Sequence, residues 1–206
     1  FLYKSTGQIF FVIIFLSTTS VFSLDKFDKA DNLSSYFSGI LLLNDNKYES
    51  SLKYLKKLNG LESKHINYSV KYLYSLVNSG NFKEAFNYSR KLEKKKLESF
   101  ESHLVSGIFY LKNSNYNLAQ KYFSKAKKSD TGFILNNYVS HSLYNWSNLS
   151  NLDQAESSLE ELDKRFENLK KIQNVFLHCY FNSQKTNDLF TQITTSKKTD
   201  FSRYNY

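Results

Sequence analysis

The sequence predicts an all-α fold, an α-solenoid of about five antiparallel helical hairpins, on three observations. Among 206 residues there is no Pro and only 6 Gly, which argues against a turn-rich β-sandwich and suits helices joined by short polar turns. A large residue followed three positions later by a small one recurs at Tyr48 and Ser51, Phe82 and Ala85, and Tyr116 and Ala119, with a spacing of 34 both times. Hydrophobic residues make up 41%, including 18 Phe and 16 Tyr. That is enough apolar material to form a core, so the chain is not a disordered one. A fixed period of this length is the signature of small helical units that bury their apolar faces only by stacking on one another.

At the N-terminus, Ile9 to Leu16 is an unbroken apolar run, preceded by Lys4 and followed by Ser17-Thr18-Thr19-Ser20-Val21-Phe22-Ser23. This is the layout of a signal peptide over residues 1–23, with the small residues Val21 and Ser23 placed for a cut before Leu24. The run is shorter than the roughly 20 residues that span a bilayer. An uncleaved anchor over residues 9–24 is the alternative. A short linker, 24–32, then leads to the repeats, 33–196. The chain contains no Met, so it reads as a fragment. Residues 197–206 read as the opening of a further hairpin, which would leave an uncapped apolar face at the C-terminal end.

The repeats follow in order. The first pairs Gly39 and Leu42 with Tyr48, Ser51, Leu55 and Leu58 across a turn at Asn46. The second pairs Leu73 and Leu76 with Phe82, Ala85 and Leu92 across Gly80, with Ser89 at a position where a large residue is expected. The third is the most regular: Gly107 and Tyr110, a turn at Ser114, then Tyr116, Ala119, Phe123 and Ala126. Its last three residues recur at intervals of four and three, one stripe of a helix. The fourth has Leu143 and Trp146, then Leu152, Ala155, Leu159 and Leu162 after Ser150, a slip of two residues that a turn can absorb. A fifth, about Lys171 to Asn182 and Thr186 to Thr195, follows from position and helical pattern. In each pair the small residue lets the two helices approach closely while the aromatics fill the remaining space.

The third unit resembles the tetratricopeptide repeat, with Gly, Tyr, a turn, then aromatic, Ala, Phe and Ala at that family's intervals. The other units match in part. The resemblance implies a superhelix whose first helices line a concave groove that takes a peptide or protein partner. Carried over by position, the groove residues are Tyr36, Ile40 and Leu43; Val70, Tyr74 and Val77; Leu104, Ile108 and Leu111; and Ser140, Tyr144 and Ser147. The surface is apolar and aromatic, and it lacks the Lys and Asn with which some family members clamp a C-terminal carboxylate. The setting implied is that of exported repeat proteins of AT-rich alphaproteobacteria, in the periplasm or cell envelope of a Gram-negative bacterium.

The net charge of +9 raises the question of nucleic acid. The lysines, however, fall in short runs at helix ends and connections (Lys94 to Lys96, Lys125 with Lys127 and Lys128, Lys170 with Lys171), where they complement helix dipoles. Nucleic-acid binding is therefore the lesser reading, and membrane contact is expected only through a retained N-terminal segment. Cys179, the single cysteine, sits in the apolar run from Val175 to Phe181 and reads as a core residue. His65, His103, His141 and His178 drift against the 34-residue frame and form no metal-ligand pattern. Glu156, Glu160, Glu161 and Asp163 read as a solvated helix face. No catalytic, metal or cofactor site is expected, so the segment reads as a binding scaffold without catalysis. The alternatives are an RNA-binding helical repeat, or the substrate-selecting part of an enzyme with a downstream catalytic domain.

Overall fold

A computed structural model describes residues 30–129 and 132–195, and the expected signal segment and residues 197–206 lie outside them. The described residues form ten α-helices: α1 (Ala30–Asn44), α2 (Tyr48–Leu55), α3 (Ile66–Asn78), α4 (Phe82–Lys94), α5 (Phe100–Lys112), α6 (Tyr116–Lys128), α7 (Ile134–Ser147), α8 (Leu152–Glu160), α9 (Glu167–Tyr180) and α10 (Thr186–Thr195). Consecutive helices pair into five hairpins, and each helix packs mainly on its chain neighbours. The exception that matters is α3 against α5, two first helices side by side. The fold is therefore an all-α solenoid of the tetratricopeptide type, as the period implied. Among the described residues no helix is long and apolar enough to cross a membrane.

The repeat is written most clearly in the turns. Asn46, Gly80 and Ser114, 34 apart, all adopt positive φ (58°, 78° and 57°). At each, the next residue's N–H reaches back to close the helix end: Lys47 to the Leu42 carbonyl, Asn81 to Leu76 and Asn115 to Tyr110, at 2.8 to 2.9 Å. This is the Schellman closure, which satisfies carbonyls that a helix end would otherwise orphan. It returns at Asn182 (φ 53°), with Ser183 N–H on the His178 carbonyl, two full periods after Ser114. Ser150 does not share it: the fourth hairpin turns over Asn148 at φ −125° and is one residue longer. The slip is thus local to that turn, and the register recovers beyond it.

Close helix approach rests on small residues. Ser51, Ala85, Ala119 and Ala155 are all buried. A Cβ added to Gly107 would stand 2.6 Å from Phe123 Cδ1, and one added to Gly39 would stand 2.7 Å from Leu55 Cδ2. The second hairpin inverts this arrangement. Leu73 occupies the position equivalent to Gly39 and Gly107, and Ser89 the position equivalent to Leu55 and Phe123; both are buried. Ser89 is small because the large member of the pair sits on the first helix. Leu143 and Trp146 follow in the fourth hairpin, where Trp146 packs on the core of Ala155, Leu159, Leu162 and Leu177.

Three sequence expectations about packing fail. Phe82 and Tyr116, read as core-filling aromatics after the turn, are exposed. They sit in the first turn of a second helix, where the chain has just emerged from the hairpin bend. Cys179 is exposed, as are its neighbours Phe176 and Tyr180. In the run Val175 to Phe181, Val175, Leu177 and His178 are buried and Phe181 packs on the core just beyond α9, while the alternate side is exposed. Helix α9 also begins at Glu167, before the expected Lys171, because the Lys164–Phe166 3₁₀ turn feeds directly into it.

Candidate functional site

Val70, Leu73, Tyr74 and Val77 form one stripe of α3 at the spacing of a single helix face. On α5 the stripe is Leu104, Val105, Ile108 and Phe109, with Glu101 at one end and Lys112 at the other. Phe82, opening α4, borders the space between the two stripes. Together they enclose a groove of about 460 Å³ that is open to solvent, within the size range of ligand sites. Three large side chains in it are unusually available: Tyr74 is 49%, Phe82 51% and Ile108 44% exposed.

The groove has a rigid floor. Phe109 stacks on Phe86 at 3.8 Å between ring centroids, Phe86 meets Tyr110 edge-on at 5.3 Å, and Tyr110 stacks on Tyr122 at 5.5 Å. This chain of rings joins α4, α5 and α6 and fixes α5 beneath the groove. At the rim, Tyr48 of the first hairpin sets its ring edge-on to Tyr74 at 6.0 Å. Helix α5 itself starts where it does because Ser99 and Ser102 cap each other: Ser99 Oγ accepts from the Ser102 N–H, and Ser102 Oγ accepts from the Ser99 N–H at 2.9 Å.

Of the residues expected to face a groove, the structure brings together Val70, Tyr74, Val77, Leu104 and Ile108. The rest do not join them. Leu43 is only 4% exposed, held in the first hairpin's interior. Ser140 is fully buried and donates to the Asn137 carbonyl at 3.1 Å. In both cases the position is covered by protein instead of solvent. Tyr36 packs on the core formed by the first two hairpins and stands 5.2 Å from the His65 ring. Ile40 and Leu111 are half-buried outside the groove. Tyr144 carries the Lys127 ammonium over its ring at 5.4 Å, and Ser147 donates to the Tyr144 carbonyl. Position counting missed Leu73, Phe82, Glu101, Val105, Phe109 and Lys112. Leu73 and Phe82 stood in the register as structural residues, and the i+4 and i+8 neighbours of Glu101 were the available signal for the α5 stripe.

Six lysines, Lys56, Lys91, Lys95, Lys125, Lys127 and Lys170, reach carboxylates across successive hairpins. Lys91 of α4 and Lys95, which caps its C-terminus, reach the enclosed carboxylate of Glu62 at 2.7 and 2.8 Å, and the Gly60 N–H donates to the same group. Burial pushes the Glu62 carboxyl upward, but the hydrogen bonds from Lys91, Lys95 and the backbone outweigh it and hold the pKa at about 2. Glu93 takes Lys125 at 2.9 Å and the Tyr122 hydroxyl at 2.8 Å, with Arg90 also on it. Burial drives the Tyr122 phenol well above its ordinary range, and its donation to Glu93 adds to that shift. Lys127 pairs with Glu161 and Lys170 with Glu160. These carboxylates are solvated, as the helix pattern implied, and they also tie successive hairpins. His178, fully enclosed, bridges Glu156 on one ring nitrogen and Ser183 on the other, each at 2.8 Å. His103 and His141 have their pKa values lowered, first by burial. Among the described residues no three metal-ligating side chains converge.

Comparison with solved structures finds MamA, residues 41 to the end, from Desulfovibrio magneticus RS-1, a tetratricopeptide-repeat protein. The match has a TM-score of 0.64 at 17% identity and covers 86% of this chain and 98% of that one. At that identity the likeness is one of fold. No family profile matches the sequence, and no curated protein matches it.

Proposed function

We propose that the chain is a protein-interaction scaffold that captures an apolar stretch of a protein or peptide partner in the groove between α3 and α5. The observation that carries this reading is the groove itself: two apolar stripes on adjacent first helices, with Tyr74, Phe82 and Ile108 half-exposed above a rigid aromatic floor. Exposed aromatic and aliphatic side chains concentrated in a concavity are what a partner desolvates to gain affinity. The segment acts by binding alone, without catalysis and without a cofactor. The groove lining is apolar apart from Glu101 and Lys112, which supports a protein partner over a nucleic acid, since a polyanion would need a row of cations there.

The pattern of Lys4, an apolar run and a Ser/Thr-rich exit supports export to the periplasm or cell envelope of a Gram-negative bacterium. The membrane is met only through residues 9–24 if they are retained. The groove is tested by selecting peptides from a displayed random library against the chain and assaying them against Tyr74→Asp combined with Ile108→Asp. Selected peptides should be rich in aromatic and aliphatic residues and lose at least tenfold in affinity for the variant, with helicity intact. Unchanged affinity would sink the assignment. Export is tested by fusing residues 1–32 to a reporter active only outside the cytoplasm, and an inactive fusion rejects it.

A further inference from the structure

We infer that the groove accepts a short extended segment with a basic side chain at one end and an acidic one at the other. The basic end lies over the start of α5 and the acidic end over its finish. This deepens the groove reading above and rests on it.

Glu101 and Lys112 line the two ends of an otherwise apolar groove. Neither has an ion-pair or hydrogen-bonding partner among the described residues, whereas Glu62, Glu93, Lys125 and Lys170 all do. They stand eleven residues apart on one helix, which at 1.5 Å per residue is about 16 Å. Glu101 and Lys112 lie on one side of α5, since eleven steps of about 100° return to within about 20°. An extended segment laid along that side presents one row of side chains at about 3.3 Å per residue. Covering 16 Å then takes about five residues. Side chains on one face of a strand recur every second residue. The two charges therefore stand four to six residues apart, with apolar side chains at the alternate positions between them.

The test uses capped, fluorescently labelled heptapeptides of the pattern Lys-Ser-Leu-Ser-Phe-Ser-Glu, compared with versions whose ends are both Gln, both Glu or both Lys. Binding to the full chain is read by polarisation. A half-exposed charge contact contributes about threefold, so the Lys/Glu probe should bind about tenfold tighter than the Gln/Gln probe, and the gap should shrink in high salt. Glu101→Lys should make the Glu/Glu probe the tightest, and Lys112→Glu should do the same for the Lys/Lys probe. Both substitutions are at solvent-accessible positions, and matching circular dichroism and unfolding midpoints would confirm the fold. One probe order shared by the native chain and both variants overturns the polarity. If the Gln/Gln probe still binds and is lost in Tyr74→Asp with Ile108→Asp, the groove stands and only the polarity falls. If no probe binds and that variant changes nothing, both fall.

Discussion

Replacing Gly107 by Ala tests the close approach on which the third hairpin depends. The new methyl would sit 2.6 Å from Cδ1 of Phe123, a fully buried ring with no free space to move into. Overpacking of this kind costs about 1–3 kcal/mol. Ala is favoured over Gly inside a helix by about 1 kcal/mol, which offsets part of it. The net expectation is a loss of up to about 2 kcal/mol, seen as a fall of up to roughly 1 M in the urea midpoint followed by circular dichroism. Gly39→Ala would set its methyl 2.7 Å from Cδ2 and 2.8 Å from Cγ of Leu55, also fully buried, so it should cost a similar amount. Phe123→Leu in the Gly107→Ala background should recover at least 1 kcal/mol relative to the sum of the single effects, as expected for residues in direct contact. A raised midpoint in Gly107→Ala, or no coupling between the two positions, would refute the packing argument.

In the second hairpin, Ser89→Phe should destabilise strongly on its own and be tolerated when Leu73 becomes Gly, measured by the same unfolding assay. Ser114→Gly, at φ 57°, should raise stability by about 1 kcal/mol by relieving a left-handed non-glycine turn residue, whereas Ser150→Gly should not. Glu62 has a folded pKa of about 2 against an ordinary value of 4.5, so its contribution is present above pH 4.5 and is lost as the pH falls toward 2. Discounted for the half-exposed lysines, that contribution is about 2 kcal/mol. The stability gap between the native chain and Glu62→Gln should therefore be full at pH 7 and close progressively below pH 4.5.

The hairpins were legible because their determinants are local and periodic: a small residue such as Ala119, a stripe such as Phe123 and Ala126, and a turn residue at Asn46, Gly80 and Ser114. The inverted Leu73 and Ser89 pair was not legible as such. Each looked like a weak match, and only their equivalence to a contacting pair reveals the compensation. The groove was half legible for a related reason. Counting positions in the register of Gly39 and Gly107 finds all three groove residues on α3 and the first two on α5, which lie side by side, while Leu111 on α5 falls outside. It fails on α1 and α7, where Leu43 and Ser140 are buried. The end charges Glu101 and Lys112 carried no sequence signal beyond their suitability for helix termini. Glu62 was invisible because it lies in a connection, and its lysines arrive from the next hairpin.

The central claim, that the α3/α5 groove captures an apolar segment, is tested most directly by photo-cross-linking. A library-selected peptide carrying a photoreactive group at its central apolar residue is irradiated with the full chain, and the adducts are mapped by mass spectrometry. Adducts confined to Val70 to Phe82 and Glu101 to Lys112, and abolished by Tyr74→Asp with Ile108→Asp, are the predicted result. Adducts on the exposed faces of α1 or α9, with that variant labelled as strongly as the native chain, would contradict it.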